Sequence, residues 1–78
     1  MTKNDIISLV LDERARQDNK WGEQNHDIYK WLAILGEEVG EANKAALDDD
    51  QHELIQELIQ ISAVSVAVIE SIYRNQNI

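Results

Sequence analysis

Glutamates at 38 and 41, and again at 53 and 57, stand three and four residues apart, in helical rows whose other members are mostly apolar. At about 100° per residue, Trp31, Ile34, Glu38, Glu41 and Ala45 form one helical row. A second row reads Glu53, Glu57, Gln60, Val64 and Ala67. Carboxylates at this spacing repel by a few tenths of a kcal/mol on a solvated helix. In a partly buried groove the repulsion is larger, and some carboxyls stay protonated. A bound divalent cation removes that penalty. Magnesium is hard, prefers carboxylate oxygens and keeps several waters, so it suits this ligand set. For a single Glu-Glu-x-x-Glu the ordinary explanation is a solvated acidic face. Two such rows on consecutive antiparallel helices, each flanked by apolar residues, weigh against it.

The elements that must position these acids are all helical. The chain has no proline, and its β-branched residues recur at helical rather than alternating spacing. A first helix is predicted over about Asn4–Gln17, where Thr2 and Asp5 have capping-box spacing. The polar stretch 18–27, with its Asn and Gly punctuation, reads as a loop, and Asp27 is the expected N-cap of the next helix. The second helix is predicted over Ile28–Leu47. Acids are unfavourable at a helix C-terminus and favourable at an N-terminus, so Asp48, Asp49 and Asp50 read as the turn into a third helix, Gln51–Arg74. The expected fold is all-α. It is a three-helix unit built on a long antiparallel helical hairpin, with the first helix packed across it, in a single domain over residues 1–78.

That unit is small for its apolar content. A domain of 78 residues buries only about 60% of the surface its unfolded chain exposes. With no cysteine, a metal or a second copy is the remaining support. The third helix is apolar nearly all round from Leu58 to Ile72, more than two short helices can cover. Oligomerisation into a helical bundle is expected, as a homodimer or homotetramer. The formal net charge of −8 repels nucleic acid and anionic membranes. The N-terminus lacks the apolar core and cleavage site of a secretory signal. The nearly uncharged stretch Leu58–Ile69 has 12 residues, too few to span a bilayer. A cytoplasmic protein with no nucleic-acid or membrane partner is the expectation.

Three segments, in order, resemble the MazG-like branch of the all-α nucleoside triphosphate pyrophosphohydrolases, in particular the short phage and prophage versions. They are Lys20-Trp21-Gly22-Glu23-Gln24-Asn25-His26, then Gly36-Glu37-Glu38-Val39-Gly40-Glu41, then Glu57-Leu58-Ile59-Gln60. Such proteins carry Glu-x-x-Glu, a gap of a dozen or more residues, then Glu-x-x-Asp. The first pair maps onto Glu38 and Glu41, with Glu37 beside them. The second pair departs from the pattern. With Glu57 as the third acid the gap is 15 residues (42–56) and Gln60 stands where Asp is expected. With Glu53 the gap is 11 (42–52) and Gln56 stands there. Alternatively Glu53 and Glu57 together form the second pair. A glutamine offers a metal one neutral carbonyl and no charge.

The resemblance implies Mg2+-dependent cleavage of a nucleoside triphosphate to its monophosphate and pyrophosphate. It places metal on Glu38, Glu41, Glu57 and Glu53, and gives Glu37 or Glu38 the role of orienting or deprotonating the attacking water. Arg14, Arg16 and Lys20 are then candidates for the remaining phosphate charge, against the simpler reading of a solvated helix end. Trp21 is a candidate to stack on a base and Asn25 to read its edge. Trp31 reads as core or interface, and His26 and His52 as surface residues. The competing readings keep the bundle without the chemistry: a helical interaction module, or a module that binds nucleotide without turnover.

Overall fold

The computed structural model describes residues 1–75. It contains three helices and, among the described residues, no strand: α1 Lys3–Trp21, α2 Ile28–Leu47 and α3 Gln51–Arg74. Capping explains most of these boundaries. Thr2 and Asp5 form the reciprocal box, with bonds of 2.9 and 3.2 Å, and these bonds hold the Asp5 carboxyl below its ordinary value. The Asp27 side chain accepts from the Lys30 amide at 2.9 Å, and Asp50 accepts from that of Glu53 at 3.0 Å. Between α2 and α3 the chain reverses through Asp49, which takes the left-handed conformation (φ 54°) that Asp tolerates better than most residues.

α1 runs four residues past the predicted Gln17. The polar segment 18–21 continues the helix because Asp18 pairs with Arg14 one turn earlier, at 3.0 Å. Gly22 then ends it. Its φ of 71° is open to glycine at little cost, and its amide still donates to the Asp18 carbonyl at 2.8 Å.

α3 is the shared partner. Both α1 and α2 pack along it, and the backbones of α1 and α2 do not approach each other. Trp31 of α2 closes the core on Val64 and Val68, with Ile34, Leu35 and Ala67 around them. Ala42, Ala45 and Ala63 are buried where helices come close. The face of α2 turned to α3 is the row that carries the acids. Beside it on α2 runs an apolar stripe, Ile28, Leu32, Leu35, Val39, Ala42 and Ala46, of which Ile28, Leu32 and Val39 are exposed. On α3, Ile55, Leu58, Val66, Ile69 and Ile72 are also exposed, as are Ile6, Ile7 and Leu11 of α1. Taken whole, Gln51–Arg74 is long and apolar enough to cross a membrane by length and composition. The 12-residue uncharged stretch does not suggest this, because an 18-residue window runs on past one or two charged residues at its ends. The core helix of a small bundle meets the same criterion.

The link from α1 to α2 is tied to the far end of α3. Arg74 donates to the Gln24 carbonyl at 3.0 Å and to the Asn25 side chain at 3.2 Å, and pairs with Glu23 at 3.3 Å. Asn75 adds a bond to the same Asn25 oxygen at 2.9 Å. Arg14 holds α1 to α3 through Glu70 at 2.7 Å. A lysine carries one point charge and cannot reproduce the Arg74 fork. Arg74→Ala and Arg74→Lys are both expected to raise amide hydrogen exchange across residues 22–27 while leaving 36–60 protected. Unchanged exchange in that loop would show that the fork does not hold it.

Candidate metal centre

Successive turns of α2 and α3 bring three carboxyls to one point. Glu38 and Glu41 come from adjacent turns of α2, and Glu57 from the first half of α3. One carboxylate oxygen from each lies within 4.8 Å of the other two. Glu57 is on the buried face of α3, seven residues before Val64, and is only 5% exposed. Glu38 is half-buried and Glu41 exposed, so the cluster opens outward along Glu41.

Ionised carboxylates are acceptors only, and no donor serves this site among the described residues. Glu38 Oε2 and Glu57 Oε2 are buried with no hydrogen-bond partner. Burial chiefly, and then the neighbouring Glu38, Glu53 and Glu41 carboxyls, push Glu57 up to about 8. Two orphaned buried oxygens and an acid forced toward neutrality are what a three-carboxylate site looks like when its charge is uncompensated. The donor set, all hard oxygen with an open side for water, fits a magnesium-like cation.

Two hollows flank the cluster. One, of about 330 Å3, lies at the α2–α3 turn and is lined by Glu41, Lys44, Asp48, Asp50, Glu53 and Glu57. Glu53 belongs to this mouth, close enough to act on Glu57. The other, of about 250 Å3, is a trench floored by α3. Glu13, Arg16, Gln17 and Trp21 of α1 line one wall, and Trp31, Ile34 and Glu38 of α2 the other. Glu38 therefore belongs to both the carboxyl cluster and the trench. Gln60 lines the trench floor, in the same hollow as Glu38, and Gln56 is exposed and lines neither hollow.

The other sequence candidates separate. Glu37 is exposed and outside the cluster. Arg16 is at the trench, paired with Glu13 at 2.6 Å. Trp21 is half-exposed there, with the Lys20 ammonium 4.7 Å and the Arg16 guanidinium 5.8 Å from its ring centre. Arg14 is held by Glu70 and Asp18, and Asn25 by Arg74 and Asn75, so both serve the fold and lie away from the cluster. Trp31 is core, and the half-buried His26 packs its ring edge against it at 4.8 Å, which removes His26 from the plain surface. Glu13 and Gln17 were not singled out for the trench. The four-residue spacing Glu13–Gln17–Trp21 places them on one face and could have drawn attention to them.

No family profile, curated protein or solved structure matches the chain.

The raised value of Glu57 has a measurable consequence. Without a cation the folded chain keeps a proton there that the unfolded chain, at an ordinary 4.5, has lost. Stability from this group is full below pH 4.5 and is lost as pH rises through about 8. The lowered Asp5 and Glu13 carboxyls act only at more acidic pH. The melting temperature in chelator is expected to fall between about pH 5 and about pH 8, and Glu57→Gln to flatten the profile. A flat wild-type profile would mean that Glu57 is not strained as described.

Proposed function

We propose that the protein is a Mg2+-dependent nucleoside triphosphate pyrophosphohydrolase of the MazG-like kind. The observation that carries this reading is the convergence of Glu38, Glu41 and Glu57, two of them with buried oxygens that no donor reaches. The adjoining trench supports it, with the Trp21 ring and the Arg16 guanidinium on its wall and the Lys20 ammonium over that ring.

Glu38, Glu41 and Glu57 would hold the metal, with Glu53 at the mouth. Bound there, magnesium supplies charge neutralisation for the phosphates, which a −8 protein otherwise repels. Trp21 offers a face to the base, and Arg16 and Lys20 beside it make that end of the trench less negative. Water adds at phosphorus, the bridge between the α- and β-phosphates breaks, and the monophosphate and pyrophosphate separate. Glu38, at the junction of trench and cluster, takes the proton of that water. Glu37 is exposed and outside the cluster, so the role is assigned to Glu38.

The functional unit is a helical hairpin of α2 and α3, with α1 alongside, completed by a second copy in a cytoplasmic oligomer. The surface area supports this. The chain exposes 5831 Å2, against about 4,800 Å2 for a folded monomer of its mass. The excess is on the scale of the roughly 800 Å2 that one partner contributes to a stable interface. The exposed apolar residues of all three helices account for its character.

The identity of residue 60 favours a second reading, binding without turnover. With Gln60 where the resembled pattern has Asp, the metal set has one carboxylate fewer than that pattern. One assay separates the two. Pyrophosphate release from a panel of nucleoside triphosphates is expected with Mg2+ and not with chelator. Glu38→Gln with Glu41→Gln is expected to lower it at least about a hundredfold with helicity and assembly unchanged. Nucleotide binding without release would leave the second reading standing. Full activity in the double variant would remove both acids from the site.

A further inference from the structure

Of the cations assigned to phosphate from the sequence, none faces the mouth of the carboxyl cluster. Arg14 is committed to Glu70 and Asp18, Arg16 to Glu13, and Lys20 lies over Trp21. The hollow at the α2–α3 turn does hold a cation, which is Lys44. It lines this space together with Glu41, Glu53 and Glu57 and is the only Lys or Arg to do so. Among the described residues Lys44 makes no ion pair, although five carboxylates share the hollow with it. Glu57, nineteen-twentieths buried with one oxygen unpartnered, forms the inner wall. The base-binding features lie on the other side of the cluster, in the trench with Trp21.

We infer that Lys44 is a substrate-binding residue that receives the terminal phosphates. It would fix the pyrophosphate end of the substrate at the α2–α3 turn and the nucleoside end in the trench. The inference rests on the pyrophosphohydrolase reading and adds the direction in which the substrate lies. A flexible ammonium at the rim is suited to this task. It carries one point charge, stays hydrated while the site is empty, and meets a phosphate whose charge a cation has partly neutralised. Its position in the last turn of α2 also opposes the helix dipole, and that is the role left to it if the inference fails.

The two roles differ in the sign of what they predict. Removing the Lys44 charge makes the hollow more negative, so the site should take a bare cation more tightly and an anion less tightly. Calorimetric titration of Lys44→Gln with Mg2+ alone is expected to give affinity equal to or up to about threefold above wild type. Titration with pyrophosphate in saturating Mg2+ is expected to give affinity at least about fivefold below wild type. In turnover the loss should fall on KM, with kcat within about twofold, and Lys44→Arg should recover most of it. Wild-type pyrophosphate affinity in Lys44→Gln, or both affinities falling together with the melting temperature, would overturn the inference. Turnover by the wild type together with an indifferent Lys44→Gln sinks the Lys44 role alone. A wild type that neither binds Mg2+–pyrophosphate nor turns over sinks the pyrophosphohydrolase reading, and the Lys44 role with it.

Discussion

Glu57 shares a face of α3 with Val64 and Val68, and this register constrains everything around it. The helix cannot close those valines onto Trp31 without also burying the carboxyl seven residues earlier. Glu38 and Glu41 meet it there because they share the α2 row that contains Trp31, Ile34 and Ala45. The apolar core and the carboxyl cluster are therefore two ends of one interface. Strengthening the first by closer packing of α2 on α3 tightens the repulsion in the second. A single cation between the three acids would relieve the second without disturbing the first.

The three-helix arrangement follows from the same interface. Since α1 and α2 each pack on α3 and not on each other, they leave a trench above α3, and Glu38 stands where it meets the cluster. Pairs of distant residues set the position of α1: Arg14 with Glu70, and Arg74 with the Gly22–Asp27 link. Trp21 and its cations hang from the end of a helix held in this way. The proposed nucleotide site thus combines an acidic end on the α2–α3 packing with an aromatic end at the last turn of α1, a helix that packs along α3 and is tied to it by these pairs.

What the sequence made legible was what acts locally. The Thr2–Asp5 box, the Asp27 and Asp50 caps and the aspartate turn were readable from spacing, and α2 and α3 have the predicted limits. The grouping of Glu38, Glu41 and Glu57 could be read from two rows of acids among apolar residues. The end of α1 could not, because the polar residues 18–21 looked like a loop and only the Arg14–Asp18 pair and Gly22 decide otherwise. Arg14 and Asn25 looked free to meet a ligand. Their partners lie on α3 about fifty positions away, and no local pattern announces a pair at that separation. Gln60, where the resembled pattern has Asp, lines the trench together with Glu38.

Proton release tests, without reference to any substrate, whether Glu38, Glu41 and Glu57 form a divalent-cation site. A cation must displace the proton that Glu57 holds below about pH 8. The measurement is Mg2+ titration by calorimetry near neutral pH in two buffers of different ionisation enthalpy. Saturable binding with release of up to about one proton per chain, and loss of that release in Glu57→Gln, is the predicted result. Absence of saturable binding, or binding unaltered by Glu57→Gln, would contradict the account.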